Sequence, residues 1–250
     1  MLHLAQTAPK QARHQLHVGL AHTNTEILDA QRLRYRVFAD ELGARLQTRI
    51  PGVDEDYYDR FCEHLVVRDE AKIIGTYRIL SPEAARRAGS YYSETEFNLE
   101  RLRHLRDRTV EVGRSCIHPD YRTGGTIALL WSGLVRYMLQ NHHEYMIGCA
   151  SIGMADGGHA AAGIFSRLEA HIAPGEYRVF PNCPLPLHRI EASKDAEVPP
   201  LIKGYLRAGA YVCGDPAWDP DFNTADLLML LPMARIDARY ARHFVDRQAA

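Results

Sequence analysis

The sequence lacks the features of a disulfide-built or membrane-spanning protein. Its five cysteines are an odd number, lie far apart and include no Cys-x-x-Cys pair: Cys62, Cys116, Cys149, Cys183 and Cys213. This pattern predicts buried, inert thiols in a reducing compartment, the cytoplasm. The apolar run from Leu227 to Leu231 is far too short to cross a bilayer, and no signal peptide is apparent at the N-terminus.

An excess of charge of one sign is also absent. The 30 basic and 31 acidic side chains leave a formal net charge of −1, so we expect neither nucleic acid nor a polybasic membrane anchor. The 250 residues, 46% of them hydrophobic, are enough to bury a substantial core. We interpret 1–13 as a loose N-terminus and 14–250 as one domain, with an irregular insertion near 181–199.

Hydrophobic periodicity predicts an α/β (α+β) domain with a mixed, mainly antiparallel central sheet flanked by helices. A strand over 16–20 is followed by a helix capped by Thr23, Asn24 or Thr25 and ending at Gly43. The arginines of this helix, Arg32, Arg34 and Arg36, are interpreted as a solvated face. Further predicted elements are strands at 61–67, 73–80, 110–117, 145–152, 177–180 and 225–231, and helices from 126, 158–170, 200–210 and 235–247.

A glycine-rich turn follows the central strand and opens a long helix. Gly124, Gly125 and Thr126 begin that helix, and Arg122 precedes it. Unpaired backbone N–H groups and the positive end of the helix dipole would form a phosphate site there. The alternative is a Gly-Gly turn that only starts a helix.

Charged side chains accompany the predicted strands. Four acidic side chains lie within the six residues 54–59: Asp54, Glu55, Asp56 and Asp59. They form either a solvated acidic turn or a pocket for a substrate ammonium group. Arg78, inside a strand, must face water or pair with a carboxylate. Glu111 and Arg114 would point to opposite faces of a regular strand, whereas a β-bulge would change this.

Several motifs, in this order, resemble one branch of the GNAT superfamily of N-acyltransferases. Arg122 and Gly125 fit its phosphate loop, and Ile127 replaces a small residue there, which favours a donor with a single phosphate. The runs LRYRVFADELGA, VDEDYYD, EHLVVRD, IIGTYRIL and VEVGRSCIHPDYR are similar to the ornithine-lipid N-acyltransferases and, more distantly, the acyl-homoserine-lactone synthases. The segment PPLIKGYLRAGAYVCGDPAWDPDFNTADLLMLL resembles the L-ornithine N-alpha-acyltransferases in particular.

The resemblance implies a reaction and its partners. A 3-hydroxyacyl chain would pass from acyl carrier protein to the α-amino group of L-ornithine, giving lyso-ornithine lipid. The family uses no metal and no permanently bound cofactor; the phosphopantetheine thioester is the donor substrate. Because the product is an amphiphile, a peripheral contact of the protein with the inner membrane is compatible with this reaction.

Site roles follow as hypotheses from the resemblance and the chemistry of thioester aminolysis. Glu111 would be the base or hold a water, with Asp56 as the second choice. Asp54, Asp56 and Asp59 would hold the cationic ends of ornithine, and Arg78 or Arg114 its carboxylate. The strand edge at Gly113 would bind pantetheine, and Arg122, Gly124, Gly125 and Thr126 the phosphate. Alternatively, these charges form an ion-pair network that only stabilises the fold.

Three other functions stay open. The first is an acyl-homoserine-lactone synthase using S-adenosylmethionine, although the Trp that such enzymes carry shortly after the Phe-x-x-x-x-Gly stretch is missing after Phe38. The second is an acetyl-CoA-dependent small-molecule N-acetyltransferase. The third is a non-catalytic module that binds lipid or carrier protein.

Overall fold

The computed structural model describes residues 16–122 and 124–236. In chain order the strands and α-helices are β1 (Leu16–Leu20), α1 (Asn24–Tyr35), β2 (Glu63–Asp69), β3 (Lys72–Leu80), α2 (Pro82–Ala88), β4 (Phe97–Asn98), β5 (Thr109–Ile117), α3 (Gly124–Gln140), β6 (Tyr145–Gly153), α4 (His159–Ser166), β7 (Phe180–Pro181), α5 (Pro200–Ala208), β8 (Tyr211–Val212), β9 (Ala217–Asp219) and β10 (Thr224–Pro232). The predicted loose N-terminus and all but the start of the predicted closing helix lie outside the described residues.

The central sheet confirms the predicted fold class. Its strands lie in the order β1-β2-β3-β5-β6-β10-β8, and β9 also pairs with β10. Among the described strands of this sheet, β5 and β6 pair in parallel and the other paired strands are antiparallel. Among the described residues, no helix is both long and apolar enough to span a bilayer.

The first helix begins where a capping box satisfies its free N–H groups. Thr23 Oγ1 accepts from the backbone N–H of Glu26 at 3.2 Å, and the Glu26 carboxylate accepts from the N–H of Thr23. After Tyr35 the chain widens into a π-helical turn, Arg36–Glu41, and it leaves the helix at Gly43, whose φ of +77° suits glycine. Arg32 and Arg36 are exposed as predicted, but the prediction for Arg34 is wrong, because this side chain is fully buried.

Hydrophobic side chains pack on both faces of the sheet. On one face Leu130, Leu134 and Met138 of α3 contact the strands. On the other, four apolar side chains from the polar segment 81–107, where short helices with these residues facing inwards are expected from the sequence, are buried in one cluster: Phe97, Leu99, Leu102 and Leu105. Alternate residues of β10 serve the two clusters, because successive side chains of a strand point to opposite faces.

Two predicted boundaries are wrong, and three short strands were not predicted. Helix α4 ends at Ser166 rather than near 170, because the backbone tightens to 3-10 hydrogen bonds, with the N–H of Leu168 donating to the carbonyl of Phe165. The strand expected at 177–180 is reduced to β7, because Gly175–Tyr177 forms a 3-10 turn. The short strands β4, β8 and β9 were not predicted; their two or three residues are too few to show periodicity.

The two parallel strands separate shortly after they begin to pair. β5 and β6 are in register only from Thr109 to Glu111. Beyond this point Gly148 of β6 lies against the carbonyl of Val112: a Cβ placed on Gly148 would stand 2.3 Å from that oxygen. The separation therefore starts at a contact that only glycine permits.

We expect Gly148→Ala to lower the free energy of unfolding by about 1–3 kcal/mol, because the added methyl forces the two strands apart. Gly153→Ala, on the same strand with no atom within 4 Å of its Cβ, is the matched control and should change stability by less than about 0.5 kcal/mol. Chemical denaturation of both variants measures the difference. Equal effects of the two substitutions would contradict the close contact.

Candidate active site

A cavity of about 250 Å³ opens where β5 and β6 diverge. Its wall on the β5 side is formed by Gly113, Arg114 and Ser115, and its wall on the β6 side includes Cys149 and Ser151. Further lining side chains come from distant parts of the chain: Phe38, Leu42, Arg78, Tyr92, Glu96, Glu111, Asp219, Phe222 and Asp226.

A β-bulge in β5 sets the direction of its charged side chains. Arg78 of β3 pairs with Gly113 while Thr76 pairs with Cys116, so two residues of β5 oppose one residue of β3. Arg114, inside the bulge, has a φ of +50°. Both Glu111 and Arg114 line the cavity, as the bulged alternative allowed and a regular strand would not.

Glu111 is held by the amide groups of a nearby 3-10 turn. Its carboxylate accepts hydrogen bonds from the backbone N–H of Tyr92 at 2.5 Å, from that of Ser93 at 2.8 Å, and from the Ser93 hydroxyl. Burial raises the pKa of Glu111, while the hydrogen bonds from Ser93 and Tyr92 oppose that rise. Since a carboxylate has about four acceptor positions, one position is left for a group in the cavity.

A buried ion-pair network occupies the predicted aspartates. Arg34 contacts Asp54 at 2.8 Å and Asp59 at 2.7 Å, and Arg78 contacts Asp56 at 2.6 Å and Asp59 at 3.1 Å. Burial acts to raise the pKa of Asp59, but the two guanidinium groups outweigh it and hold that pKa well below its usual range. Asp54 and Asp59 do not line the cavity, so we do not carry forward their predicted role in binding an ammonium group.

Arg114 is the most loosely held guanidinium of this network. Its contacts with Asp56, Asp54 and the Tyr92 hydroxyl are 3.2, 3.4 and 3.5 Å long. Its guanidinium lies over the ring of Phe222 at 4.5 Å and over that of Tyr92 at 5.0 Å. Arg114 can therefore turn donors towards an anionic group in the cavity, whereas Arg78 is fixed by shorter ion pairs.

A second acidic group in the cavity was missed by the sequence analysis. The carboxylates of Glu96, Asp219 and Asp226 lie within 4.8 Å of one another. Burial and the neighbouring carboxylates raise the pKa of Glu96; burial is also the main cause of the raised pKa of Asp226. The available signal was Asp226 itself, an acidic residue inside an apolar strand. A metal ion would also accept such oxygen ligands.

The described residues of the predicted phosphate loop do not line the cavity. Gly124 and Gly125 are exposed at the start of α3, and Thr126 is buried. The guanidinium of Arg122 makes an ion pair with Glu41, with Nη2 to Oε2 at 2.6 Å. Phe38 and Leu42, in and just after the same π-helical turn as Glu41, line the cavity. The helix start and the cavity are thus connected along this turn.

The thiols at the cavity are poor nucleophiles. Burial raises the pKa of Cys62 to about 12 and that of Cys149 well above its ordinary value. Because the thiolate is the reactive form, the burial of these thiols disfavours a covalent intermediate on cysteine.

Comparison with solved structures shows the same fold in distant proteins. The AHL synthase LasI matches with a TM-score of 0.56 over 92% of this chain and 95% of that one, at 14% sequence identity. FeeM, an N-acyl amino acid synthase from uncultured soil microbes, matches with a TM-score of 0.52 over 94% of this chain and 99% of that one, at 11% identity.

Comparison of sequences shows the family. The model of the acetyltransferase (GNAT) domain matches residues 33–132, from α1 into α3. The L-ornithine N(alpha)-acyltransferase of Brucella abortus (strain 2308) is 36% identical over 92% of this chain and 88% of that protein. The protein of the same name from Agrobacterium fabrum is 37% identical over 92% and 85%. The chain is an acyltransferase and belongs to the family of L-ornithine N(alpha)-acyltransferases.

Proposed function

We propose that this protein transfers an acyl chain, including 3-hydroxyacyl chains, from acyl carrier protein to the α-amino group of L-ornithine. The product is lyso-ornithine lipid, and no metal or permanently bound cofactor takes part. The observation that carries the proposal is the cavity between β5 and β6, which joins an open strand edge to a loosely held arginine and a buried carboxylate. The names of the relatives support ornithine as the acceptor.

The donor would extend along β5 from the start of α3. The exposed N–H groups at Gly124 and Gly125, with Thr126 behind them and Arg122 beside them, suit the phosphate of a pantetheine arm. β5 no longer pairs with β6 beyond Glu111 among the described residues, so its edge at Gly113 is available to the pantetheine amides. The thioester then reaches the cavity.

The acceptor would lie against Arg114 and Glu111. Arg114 binds the α-carboxylate, which orients the α-amine towards the thioester. The amine nitrogen attacks the thioester carbon, a backbone N–H at the strand edge stabilises the oxyanion, and the carbon–sulfur bond breaks to release the pantetheine thiol. Glu111 takes the proton that the amine loses and passes it to the departing sulfur, which leaves as the thiol. We favour it over Asp56, whose carboxylate is already bound by Arg78 and Arg114.

The direct test is an assay of the purified protein with L-ornithine and 3-hydroxyacyl thioesters on either carrier protein or coenzyme A. We expect an acylated ornithine, with fragmentation placing the amide on the α-nitrogen, and the higher kcat/KM with the carrier-linked donor. Formation of a lactone from S-adenosylmethionine, or acetylation by acetyl-CoA alone, would instead support the two other enzyme functions.

Glu111→Gln should lower kcat by about 100-fold or more, because it removes the base while its one remaining oxygen still accepts from the Ser93 amide. The ratio of the wild-type kcat to the kcat of the variant should fall as the pH rises, because a larger fraction of the amine is then unprotonated. Glu100→Gln, an exposed substitution in the neighbouring 3-10 helix, is the control. An unchanged kcat at neutral pH would remove Glu111 from the mechanism.

Arg122→Glu should raise the apparent KM for the carrier-linked donor on the order of tenfold without a matching loss in kcat, because it repels the phosphate. Glu41→Gln is the matched control: it releases Arg122 from its ion pair and should not raise this KM. The same KM for Arg122→Glu and the parent protein would exclude the phosphate site at the start of α3.

A further inference from the structure

Glu96, Asp219 and Asp226 line the cavity, whereas Asp54, Asp56 and Asp59 lie outside its lining. These two acidic groups differ in one physical respect. Among the described residues, Asp54, Asp56 and Asp59 each have an arginine within ion-pair distance. Among those same described residues, no lysine, arginine or histidine lies within ion-pair distance of Glu96, Asp219 or Asp226, although their carboxylates converge. Buried carboxylates without a cation are costly, so the second group is incomplete as it stands.

The buried atoms of the second group point to a missing donor. Asp226 is only 3% exposed, and its Oδ1 has no hydrogen-bond partner. Oε2 of Glu96 is buried and unpartnered in the same way. Both residues, together with Asp219, line the cavity. Because buried polar atoms are nearly always hydrogen-bonded in folded proteins, these oxygens need either a proton shared by Glu96 and Asp226, in line with the raised pKa of both groups, or a ligand with N–H donors that displaces this proton.

The position of this group relative to Arg114 defines the ligand further. The Tyr92 hydroxyl lies 3.5 Å from the Arg114 guanidinium. Its pKa is raised by burial, lowered by Arg114 and raised again by Glu96 and Asp219. Phe222 links the two charges: the Arg114 guanidinium lies 4.5 Å from its ring, and the Phe222 backbone N–H donates to Asp219 Oδ1 at 3.1 Å. The cavity therefore has a cationic and an anionic side. A molecule with a carboxylate at one end and an ammonium group at the other matches this charge pattern.

We propose that Glu96, Asp219 and Asp226 bind the side-chain ammonium group of the acceptor amino acid, the amine that is not acylated. An ammonium group has three donors and no acceptor, which suits three converging carboxylates. The site would select a diamino acid over an amino acid with an apolar side chain. It would also fix which amine reacts, because the side-chain amine is held away from the thioester. The inference rests on the proposed function for the identity of the acceptor.

The test compares L-ornithine with L-norvaline, which has the same carbon chain without the terminal amine. In wild type, kcat/KM should be much higher for ornithine. Asp226→Asn should lower kcat/KM for ornithine by about 30-fold or more, the effect of removing one partner of a buried charge pair, and leave norvaline unchanged. Asp221→Asn, an exposed substitution on the loop that precedes β10, is the control and should behave as wild type. Equal losses on both amino acids would overturn the proposal.

A binding measurement separates this inference from the proposed function. L-Ornithine alone, without any donor, should raise the melting temperature of wild type and not that of Asp226→Asn, and norvaline should raise neither. The ligand-free variant should melt no lower than wild type, because it relieves repulsion among carboxylates. Failure to form acylornithine, with this protection intact, would count against the proposed reaction only. No protection of wild type, or protection that requires a bound divalent metal removed by chelator, would overturn the ammonium site.

Discussion

Compensation of buried charge is the constraint on which this site depends. Arg34 is fully buried, and a guanidinium in that position is tolerable only with hydrogen-bonded carboxylates around it. Asp54 and Asp59 supply them and so tie the 53–61 segment to α1. Arg78 joins through Asp56 and Asp59 and links the same segment to the central sheet. Each member has two partners of opposite charge, so removing one would break two buried ion pairs at once, and the network fixes one wall of the cavity.

The bulge in β5 carries Arg114, whose contacts with the network are longer than those of Arg34 and Arg78. Arg114 has a left-handed backbone conformation, which costs a non-glycine residue on the order of 1–3 kcal/mol and is concentrated at functional sites. In exchange, its side chain reaches the cavity beside Glu111. The divergence of β5 from β6 next to Gly148 leaves a strand edge open at the same place. A strained backbone, an open strand edge and a loosely held guanidinium therefore lie at the same place in β5.

The sequence indicated much of the fold and about half of the site. Periodicity gave the main strands and the long helix, and the capping position at Thr23 was among those considered. The acidic run at 54–59 was interpreted as a solvated turn or an ammonium pocket, with an ion-pair network as the alternative, and its partner was not recognised. Arg34 was assigned to a solvated face, because a helix with arginines at alternate positions resembles a surface helix. The Glu111–Arg114 pair was identified, while its orientation depended on a bulge that no local pattern announces.

The sequence by itself determined which segments form strands and helices, because burial imposes periods of two and 3.6 residues that are written locally. It also supplied the charged residues and their order. Only the tertiary structure decided which charges compensate one another and which stay unmatched. Glu96 and Asp226 are far apart in the chain and meet only because the sheet brings their elements to one cavity. Charge balance is a property of distances in space, and spacing along the chain does not record it.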